Sequence, residues 1–517
     1  MRLFMFFFVI SLCANAQETV RFNYNYPYPW QYDCNSMIAI DSTYYLVGNI
    51  ARFTESCGYS LYGYHVSVIN KHGIRDTTII FDKCGEDTYI GLGSSMNYIN
   101  DTIVVVGDIQ TNNQWQLFIL KLDYELDTIN VDYYMNDTLT KRMVSFSFDW
   151  DNNIIFCGQT DSSYNEIANP APDETYTKSY LYKVSPSGET IWKKSYPITN
   201  CSSGCWSYFR KVVSTYDKGY IAIGYFHSVH GRNIVVKVDS LGNQKWVKFY
   251  GNPNYNNPNL MDIVETEDSC IVVCGAYTYG ETGGGLYPYD GWLIKLDKDG
   301  NEKWNRKHRD YVYGSTDWRD TIYSFYYGLV EKPNHDILAI CGTRSDDEHN
   351  YIGERFRLRC LDSSGNKKWD KVFTSVGNQQ GPLWPNSICL TDDGGIAIAG
   401  WGEIYYWNEQ NQWTSDQRIF LIKTDSLGND VETTIRPIAA HPIGKFELVC
   451  YPNPASGEFW VEAPGEDVLE VFATNGSMVL AVNVAQGLNR VDLCGVKPGM
   501  YLVRLREAGV FGKIIIE

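Results

Sequence analysis

Beyond its first 16 residues the chain lacks a long hydrophobic run, and it is poor in basic residues. No later stretch approaches the roughly 18 consecutive apolar residues that a membrane-spanning helix needs, so we expect no transmembrane segment. The 61 Asp and Glu residues outnumber the 44 Lys and Arg residues, which gives a net charge of −17. A chain of that charge repels polyanions on average, and we therefore expect no nucleic-acid partner.

Familiar catalytic motifs are also missing. The sequence has no Gly-x-Ser-x-Gly elbow, phosphate-binding loop or His-Glu-x-x-His pair. The Ser-x-Asp-x-Gly-x-x-Trp box of sialidase-like propellers is not reproduced, because Ser185-Pro186-Ser187-Gly188 lacks the Asp and shifts the Gly. With 61 acidic residues no carboxylate pair for polysaccharide cleavage can be singled out. The catalytic residues are thus unknown, and we favour a protein that is not an enzyme.

Metal and cofactor motifs are weak as well. His227 and His230 have a chelating spacing, but only eight His are spread over the chain and no third ligand can be identified. The acidic segments 149–153 and 297–300 could hold calcium, but they lie at hairpin positions where Asp, Asn and Gly also make turns. We therefore expect no metal and no cofactor.

The N-terminus has the pattern of an export signal. Positive Met1-Arg2 is followed by an apolar run from Leu3 to Cys13 and by the small-x-small sequence Ala14-Asn15-Ala16. This predicts a signal peptide over residues 1–16 and a mature chain from Gln17.

The mature chain would keep 13 of the 14 cysteines, an odd number that cannot pair completely. Three of them, each just before a repeated Gly, are predicted to be small buried core residues: Cys157, Cys274 and Cys341. In an oxidising compartment, a local disulfide, a loop staple and a C-terminal pair are the candidates. These pairs are Cys201 with Cys205, Cys57 with Cys84, and Cys450 with Cys494.

One pattern occurs seven times in the middle of the chain. It consists of an apolar strand, a polar turn, a second apolar strand ending in Gly, a variable loop, a third strand and a fourth strand. The glycines that end the second strands are Gly48, Gly107, Gly158, Gly224, Gly275, Gly342 and Gly400. Four short strands per repeat without helical periodicity predict a seven-bladed β-propeller over residues 17–435.

The turn after the third strand supports this prediction. Asp297, Gly300 and Trp304 show an Asp-x-x-Gly-x-x-x-Trp spacing that resembles the tryptophan-docking repeat of quinoprotein-like propellers, in which the indole packs between blades. The fourth-strand tryptophans are Trp192, Trp246, Trp304 and Trp369. Repeat 3 has Ser185 in place of the Asp, and repeats 1, 2 and 7 lack the Trp. The resemblance implies architecture and no quinone chemistry.

The long connections should gather on one face of the propeller, because second turns and blade connections share a face in an up-and-down blade. This long-loop face is rich in aromatic residues that could stack on sugars or anchor a protein. The candidate ligand-binding residues are Tyr277, Tyr287, Tyr289, Tyr311, Trp318, Trp384, Trp401 and Trp407. The alternative is that these rings only fold the long loops onto themselves.

A short linker at 436–445 precedes a C-terminal domain at 446–517, which is predicted to be a small Ig-like antiparallel β-sandwich. Its motifs resemble those of the type IX secretion C-terminal sorting domain family. The matching residues are Tyr451, Pro452, Asn453, Pro454, Gly499, Tyr501 and Lys513. An ordinary terminal adhesion domain is the alternative. The resemblance implies recognition by the type IX machinery, removal of the domain by a sortase-like enzyme, and a secreted or outer-membrane-attached product.

Two hypotheses for the whole protein remain. The first is a non-enzymatic surface or secreted propeller that binds a glycan or a protein through its long-loop face. The second is a propeller hydrolase or lyase that acts on polysaccharide. Several acids converging with an Arg or His at the mouth of a central channel would favour the second.

Overall fold

The computed structural model divides the chain into two compact units, Met1–Thr434 (unit 1) and Ile435–Glu517 (unit 2). Within the residues that it describes, the secondary structure consists of strands, turns and bends, with no helix, so the fold is all-β. The described residues are 22–27, 31–54, 59–81, 86–89, 95–111, 114–135, 140–160, 178–196, 206–227, 231–254, 259–278, 289–308, 310–311, 321–345, 355–373, 383–407, 413–430, 448, 450–451, 455, 457–463, 465–473, 478–493, 495–506 and 511–516.

The strands of unit 1 are short and rich in β-branched and aromatic residues, which suits a pleated surface. They are β1 (Phe22–Pro27), β2 (Gln31–Tyr32), β3 (Ser36–Ile40), β4 (Thr43–Thr54), β5 (Tyr59–Ile69), β6 (Arg75–Phe81), β7 (Glu86–Tyr89), β8 (Met96–Ile99), β9 (Thr102–Thr111), β10 (Gln114–Leu122), β11 (Thr128–Met135), β12 (Thr140–Phe148), β13 (Ile154–Thr160), β14 (Lys178–Val184), β15 (Thr190–Tyr196), β16 (Trp206–Ser214), β17 (Tyr220–His227), β18 (Arg232–Val238), β19 (Gln244–Tyr250), β20 (Leu260–Glu265), β21 (Ile271–Thr278), β22 (Tyr289–Leu296), β23 (Glu302–His308), β24 (Asp310–Tyr311), β25 (Thr321–Glu331), β26 (Ile337–Ser345), β27 (Arg355–Leu361), β28 (Lys367–Phe373), β29 (Leu383–Leu390), β30 (Ile396–Trp407) and β31 (Trp413–Thr424).

In the described part of unit 1 these strands form seven antiparallel sheets of four or five strands, one for each sequence repeat. Sheet 1 has the order β2-β4-β5-β6 with β3 beside β4, and sheet 2 the order β11-β10-β9-β7 with β8 beside β9. Sheets 3, 4 and 5 contain β12 to β15, β16 to β19 and β20 to β23 in chain order. Sheet 6 is β24-β25-β26-β27-β28, and sheet 7 is β1-β31-β30-β29. The prediction of repeated four-stranded antiparallel units is thereby confirmed.

Sheet 7 is completed by the N-terminal strand. β1 pairs with β31 from Phe22 opposite Lys423 to Pro27 opposite Arg418. In sheets 3, 4 and 5 the residue opposite the equivalent Lys is the docking tryptophan, as in the pair Lys237 and Trp246. Repeat 7 therefore lacks a tryptophan because its outer strand comes from the other end of unit 1, where Phe22 takes that position.

The apolar core of unit 1 lies between sheets. The described residues form seven apolar clusters, and each cluster contains residues of two sheets. Six clusters join each sheet to the next one in the chain, and the seventh joins sheet 7 back to sheet 1. In the last of these, Leu46 and Cys34 of sheet 1 pack with Ala399 and Leu421 of sheet 7. Every sheet thus buries both of its faces against a neighbour, which is why the second and third strands are apolar without alternation. Cys157, Cys274 and Cys341 are fully buried in these clusters, as predicted.

The fourth-strand tryptophans bind the next sheet. The indole Nε1 groups of Trp192, Trp246 and Trp304 donate to carbonyl oxygens in the following sheet's turn, at 3.0 to 3.1 Å. The ring of Trp369 lies against Gly428 in sheet 7, whose φ of +76° favours glycine. The turn that receives an indole thus belongs to the repeat after the one that supplies it.

An ion pair joins the first turn to a buried lysine of the third strand in sheets 3, 4, 5 and 7; the acid is largely buried in sheets 3 and 7 and exposed in sheets 4 and 5. In sheet 7 the Lys423 ammonium, 1% exposed, lies 2.9 Å from the Asp393 carboxylate, which is 11% exposed. The other pairs are Lys183 with Asp149, Lys237 with Asp217, and Lys295 with Asp268. The acid of each first turn thus balances the charge of a lysine that is buried inside the sheet.

The described residues of unit 2 form two antiparallel sheets around one apolar core. One sheet is β32-β33-β36 and the other is β35-β34-β37-β38. The strands are β32 (Cys450–Tyr451), β33 (Glu458–Ala463), β34 (Asp467–Ala473), β35 (Met478–Val484), β36 (Gly487–Asp492), β37 (Gly499–Leu505) and β38 (Phe511–Ile516).

Candidate functional site

The structure identifies one set of positions that the sequence repeats did not reveal. In four sheets the glycine of the second strand touches the backbone of the first strand so closely that a Cβ would lie 1.9 to 2.5 Å from a carbonyl oxygen. Only glycine permits this approach, which accounts for its recurrence. The carbonyls belong to Asp33, Tyr208, Asn259 and Trp384, which we call the rim residues. In sheets 4, 5 and 7 they precede a β-bulge in the first strand.

Sheet 6 differs at this position. In sheets 4, 5 and 7 the glycine lies opposite the last residue before the bulge. In sheet 6 that last residue is Tyr326, and Cys341 lies opposite it, so Gly342 comes one residue later. The atoms nearest to a Cβ on Gly342 would be those of the Tyr327 ring. The seven sequence glycines are therefore not all equivalent in space.

The rim residue Trp384 forms a stacked aromatic pair with Trp401. They are directly opposite each other on β29 and β30, and their rings stack with centroids 4.0 Å apart and planes 25° apart. Both indoles are half-buried. Two of the predicted ligand-binding aromatics are thus brought together, with indole surface still open to solvent.

Asp33 is the rim residue of the neighbouring sheet 1. Its carboxylate accepts hydrogen bonds from the backbone N–H of Asn49 and, at 3.3 Å, from the Asn49 side chain. Burial raises the pKa of Asp33 to about 6, and the hydrogen bonds from Asn49 only partly oppose this effect. The Asn386 side chain of sheet 7 donates to the carbonyl of Cys34 at 2.9 Å, which ties the Asp33 segment to the strand that carries Trp384.

A buried histidine fixes the backbone beneath Asp33. The Nε2 of His65 donates to the carbonyl of Asp33 at 2.8 Å, and its Nδ1 lies 3.1 Å from the Ser67 hydroxyl. Burial lowers the pKa of His65 to about 4, so the imidazole is neutral at physiological pH. This histidine positions the Asp33 segment and has no contact with solvent.

Sheets 4 and 5 carry a second polar and aromatic group at the rim. Tyr208 and Tyr225 are opposite each other with ring centroids 6.1 Å apart. Burial raises the pKa of Tyr208, against the effect of a hydrogen bond with the Asn259 side chain. The rim residues of two adjacent sheets therefore touch each other here.

The other described candidates behave differently. Tyr277 packs edge-on against buried Trp292, with centroids 5.2 Å apart, and the Lys307 ammonium lies 3.4 Å from its centroid. Tyr277 thus packs against residues of its own sheet. Tyr289 is half-buried at the start of β22.

Several candidates lie outside the described residues. Tyr287, Trp318, Cys201, Cys205, Cys57, Cys84, Cys494, Pro452, Asn453, Pro454 and His230 belong to this group. Tyr311, Trp407, Cys450, Tyr451 and Lys513 are described only in their backbone, within strands. The disulfide predictions therefore stay predictions, and the seven cysteines whose side chains are described are free thiols. Among the described residues no cluster of three His, Cys, Asp or Glu could hold a metal ion.

The sorting-motif residues whose side chains are described lie in β37. Gly499 and Tyr501 are opposite Ile516 and Ile514 of the last strand. The Tyr501 ring is in the core of unit 2, and its hydroxyl donates to the carbonyl of Lys497 at 2.7 Å. The late Gly-x-Tyr-x-Val motif thus builds the sheet that holds the C-terminal strand.

Sequence reasoning missed Asp33, Asn49, Tyr208, Tyr225, Asn259 and Asn386. The repeat glycines were the available signal, because each one marks the close approach of a rim residue. The rim residues lie 15 or 16 residues before their glycines, but their types differ (Asp, Tyr, Asn and Trp), so no shared motif marked them in the sequence.

The family comparison identifies the C-terminal domain. Residues 449–517 match the family model described as "Secretion system C-terminal sorting domain", which confirms the predicted type IX sorting domain. The domain indicates export by the type IX machinery and attachment at the cell surface. In the described residues no helix has the length and apolar character to cross a membrane. No curated protein matches the chain.

Three solved structures similar to the chain are distant from it. A Dyadobacter fermentans protein of unknown function is 10% identical with a TM-score of 0.36, and the match covers 65% of this chain and 99% of that one. The polysaccharide lyase Uly1 is 9% identical with a TM-score of 0.38, covering 81% and 94%. A Fusarium graminearum α-L-arabinofuranosidase is 9% identical with a TM-score of 0.38, covering 78% and 98%. Likenesses this distant do not indicate a function.

Proposed function

We propose that the chain is an exported, surface-attached glycan-binding protein whose ligand stacks on Trp384 and Trp401. In this proposal residues 17–435 form a seven-bladed β-propeller, residues 436–445 a linker and residues 446–517 an Ig-like sorting domain. Residues 1–16 are a signal peptide, and a sortase-like enzyme removes the sorting domain after export. The core clusters that link each sheet to the next, and sheet 7 to sheet 1, support the closed propeller.

The observation that carries the binding proposal is the stacked, half-buried pair Trp384 and Trp401. Each indole is held by its partner and by the strand register, so little side-chain entropy is lost when a ligand binds. Indole faces are apolar and rigid and match the C–H faces of sugar rings. Large aromatics of this kind also dominate the energy of binding surfaces in general.

Polar groups next to the pair suit a glycan better than an apolar ligand. Asp33, Asn49 and Asn386 lie at the junction of sheets 7 and 1 and can exchange hydrogen bonds with hydroxyl groups. A few placed polar groups beside apolar rings are the usual composition of a small-molecule site. Tyr208, Tyr225 and Tyr289 would serve sugar units further along a longer glycan.

A second candidate function is polysaccharide cleavage, and Asp33 is the observation that favours it. A carboxyl whose pKa is about 6 is partly protonated near neutral pH and can act as a general acid. Glycoside hydrolysis needs a second carboxylate near the scissile bond. The contacts of Asp33 are with Asn49 and do not identify that partner, whereas the indole pair is directly seen. We therefore place binding before catalysis.

A glycan array followed by product analysis tests both candidates. Binding with no change in the glycan supports the first, and release of shortened or unsaturated products supports the second. A chain that ignores every glycan on the array would contradict both and would leave a protein partner for the same face.

A further inference from the structure

The outer face of one sheet in unit 2 carries two arginines held by a single buried carboxylate. Glu470 lies on β34 and is 4% exposed, and it is directly opposite Arg504 on β37. The Nε of Arg504 donates to Oε2 of Glu470 at 2.8 Å, and the Nε of Arg506 donates to Oε1 at 2.8 Å. The Nη2 of Arg504 also donates to Oε2, and the Nη2 of Arg506 also donates to Oε1. One carboxylate thus fixes two guanidinium groups.

The clamp leaves the outer edge of each guanidinium free. Glu470 uses Nε and one N–H of Nη2, so Nη1 and the second N–H of Nη2 remain as an intact pair of parallel donors. No described residue accepts a hydrogen bond from Nη1 of either arginine, and the side chains are 36% and 47% exposed. Two cations against one anion leave one unit of positive charge here, in a chain whose net charge is −17.

The arginines are also held sterically and border an apolar surface. The Arg504 guanidinium lies 5.4 Å from the Phe472 ring centroid, as in a cation–π contact. Phe472 is directly opposite Leu502 on β37 and Met478 on β35. Leu502 and Met478 are 46% and 54% exposed. A fixed donor group therefore adjoins an exposed apolar row on the same face.

Fixed guanidinium forks recognise carboxylate and phosphate groups. A phosphate monoester has three terminal oxygens in a tetrahedral arrangement and can accept from both forks, whereas the two oxygens of a carboxylate lie in one plane with its carbon. The apolar row favours an anion attached to apolar material, as in a lipid headgroup. We propose that Arg504 and Arg506 form a binding site for the phosphate of an anionic lipid at the outer membrane, with Phe472, Leu502 and Met478 against the apolar part.

The test uses the full chain and co-sedimentation with vesicles of phosphatidylcholine, with or without phosphatidic acid. The main variant is R504Q/E470Q/R506Q, in which three amides replace the clamp so that no buried carboxylate is left unpaired. The control R490Q removes another exposed arginine that is paired with a glutamate, Glu458, in the other sheet. Both variants change the net charge by −1, so a general electrostatic effect would be equal in the two.

We expect the parent to bind only the vesicles with phosphatidic acid, and R504Q/E470Q/R506Q to bind them at least about tenfold more weakly. R490Q should bind like the parent, and inorganic phosphate should compete more strongly than acetate. Thermal unfolding followed by circular dichroism checks that both variants are folded. The proposal is overturned if the parent ignores phosphatidic acid or if the two variants weaken binding equally. Acetate competing as well as phosphate would also overturn it, since a carboxylate of a protein partner would then be the ligand class.

Discussion

Replacing Asp33 by Asn should stabilise unit 1, and by an amount that depends on pH. Asp33 is half-buried at the rim, and the burial of its carboxyl raises the pKa from an ordinary 3.8 to about 6. A shift of this size corresponds to about 3 kcal/mol, because one pKa unit is about 1.4 kcal/mol. Asn has the same shape, carries no charge and can still accept the backbone N–H of Asn49.

The direction follows from proton linkage. Between pH 3.8 and 6 the folded protein binds more protons at Asp33 than the unfolded protein does, so the contribution of this group falls as the pH rises. Above pH 6 the buried carboxylate destabilises the fold by the full amount. We therefore expect Asp33→Asn to gain up to about 3 kcal/mol at pH 8 and close to nothing at pH 4.

Urea unfolding of the full chain at pH 8, 6 and 4, followed by tryptophan fluorescence, measures this difference. The signal reports mainly on unit 1, because all 15 tryptophans except Trp460 belong to it. Asp299→Asn, at an exposed turn, is the matched control and should shift the midpoint little at any pH. A gain for Asp33→Asn that is the same at pH 4 and pH 8, or a loss at pH 8, would refute the reasoning.

Three further predictions concern the scaffold of unit 1 and use the same unfolding assay. Gly224→Ala should cost at least about 1–3 kcal/mol, since its Cβ would lie 1.9 Å from a backbone oxygen; a cost below about 0.5 kcal/mol would contradict the close approach. Trp304→Ala should lower the free energy of unfolding by about 3–5 kcal/mol, because it removes an indole that is 8% exposed and hydrogen-bonded to the next sheet. A loss below about 1 kcal/mol would show that the docked indole does not stabilise unit 1. Lys423→Met should cost about 3–5 kcal/mol, because it removes the ammonium that balances the largely buried Asp393 carboxylate, and adding Asp393→Asn should recover much of it; additive losses would argue against the pair.

The sequence was sufficient for the scaffold, for local reasons. Gly300 and Trp304 have a spacing set by a tight turn and a strand, so their docking function could be predicted. The sorting motif around Tyr501 was equally local, and the family match confirms it. Both depend on residues close together in the chain.

The rim could not be predicted in the same way, because it depends on contacts between distant parts of the chain. Asp33 and Trp384 lie about 350 residues apart in the sequence and are joined through the hydrogen bond of Asn386 to the carbonyl of Cys34. The pairing of β1 with β31 is of the same kind, since nothing in the local pattern of 22–27 identifies its partner. Among the predicted aromatics, sequence alone could not separate Trp401, which is half-open at the rim, from Tyr277, which is packed on its own sheet.

The central claim is that the Trp384 and Trp401 pair binds a glycan, and the most direct test is the affinity of a paired variant. Isothermal titration calorimetry with the strongest glycan from the array should show that Trp384→Ala/Trp401→Ala binds at least about thirtyfold more weakly, which corresponds to about 2 kcal/mol. Trp150→Ala removes an indole that is 56% exposed and lies in a first turn, away from the rim, and it should bind like the parent. Unchanged affinity in the paired variant, or an equal loss in Trp150→Ala, would contradict the account.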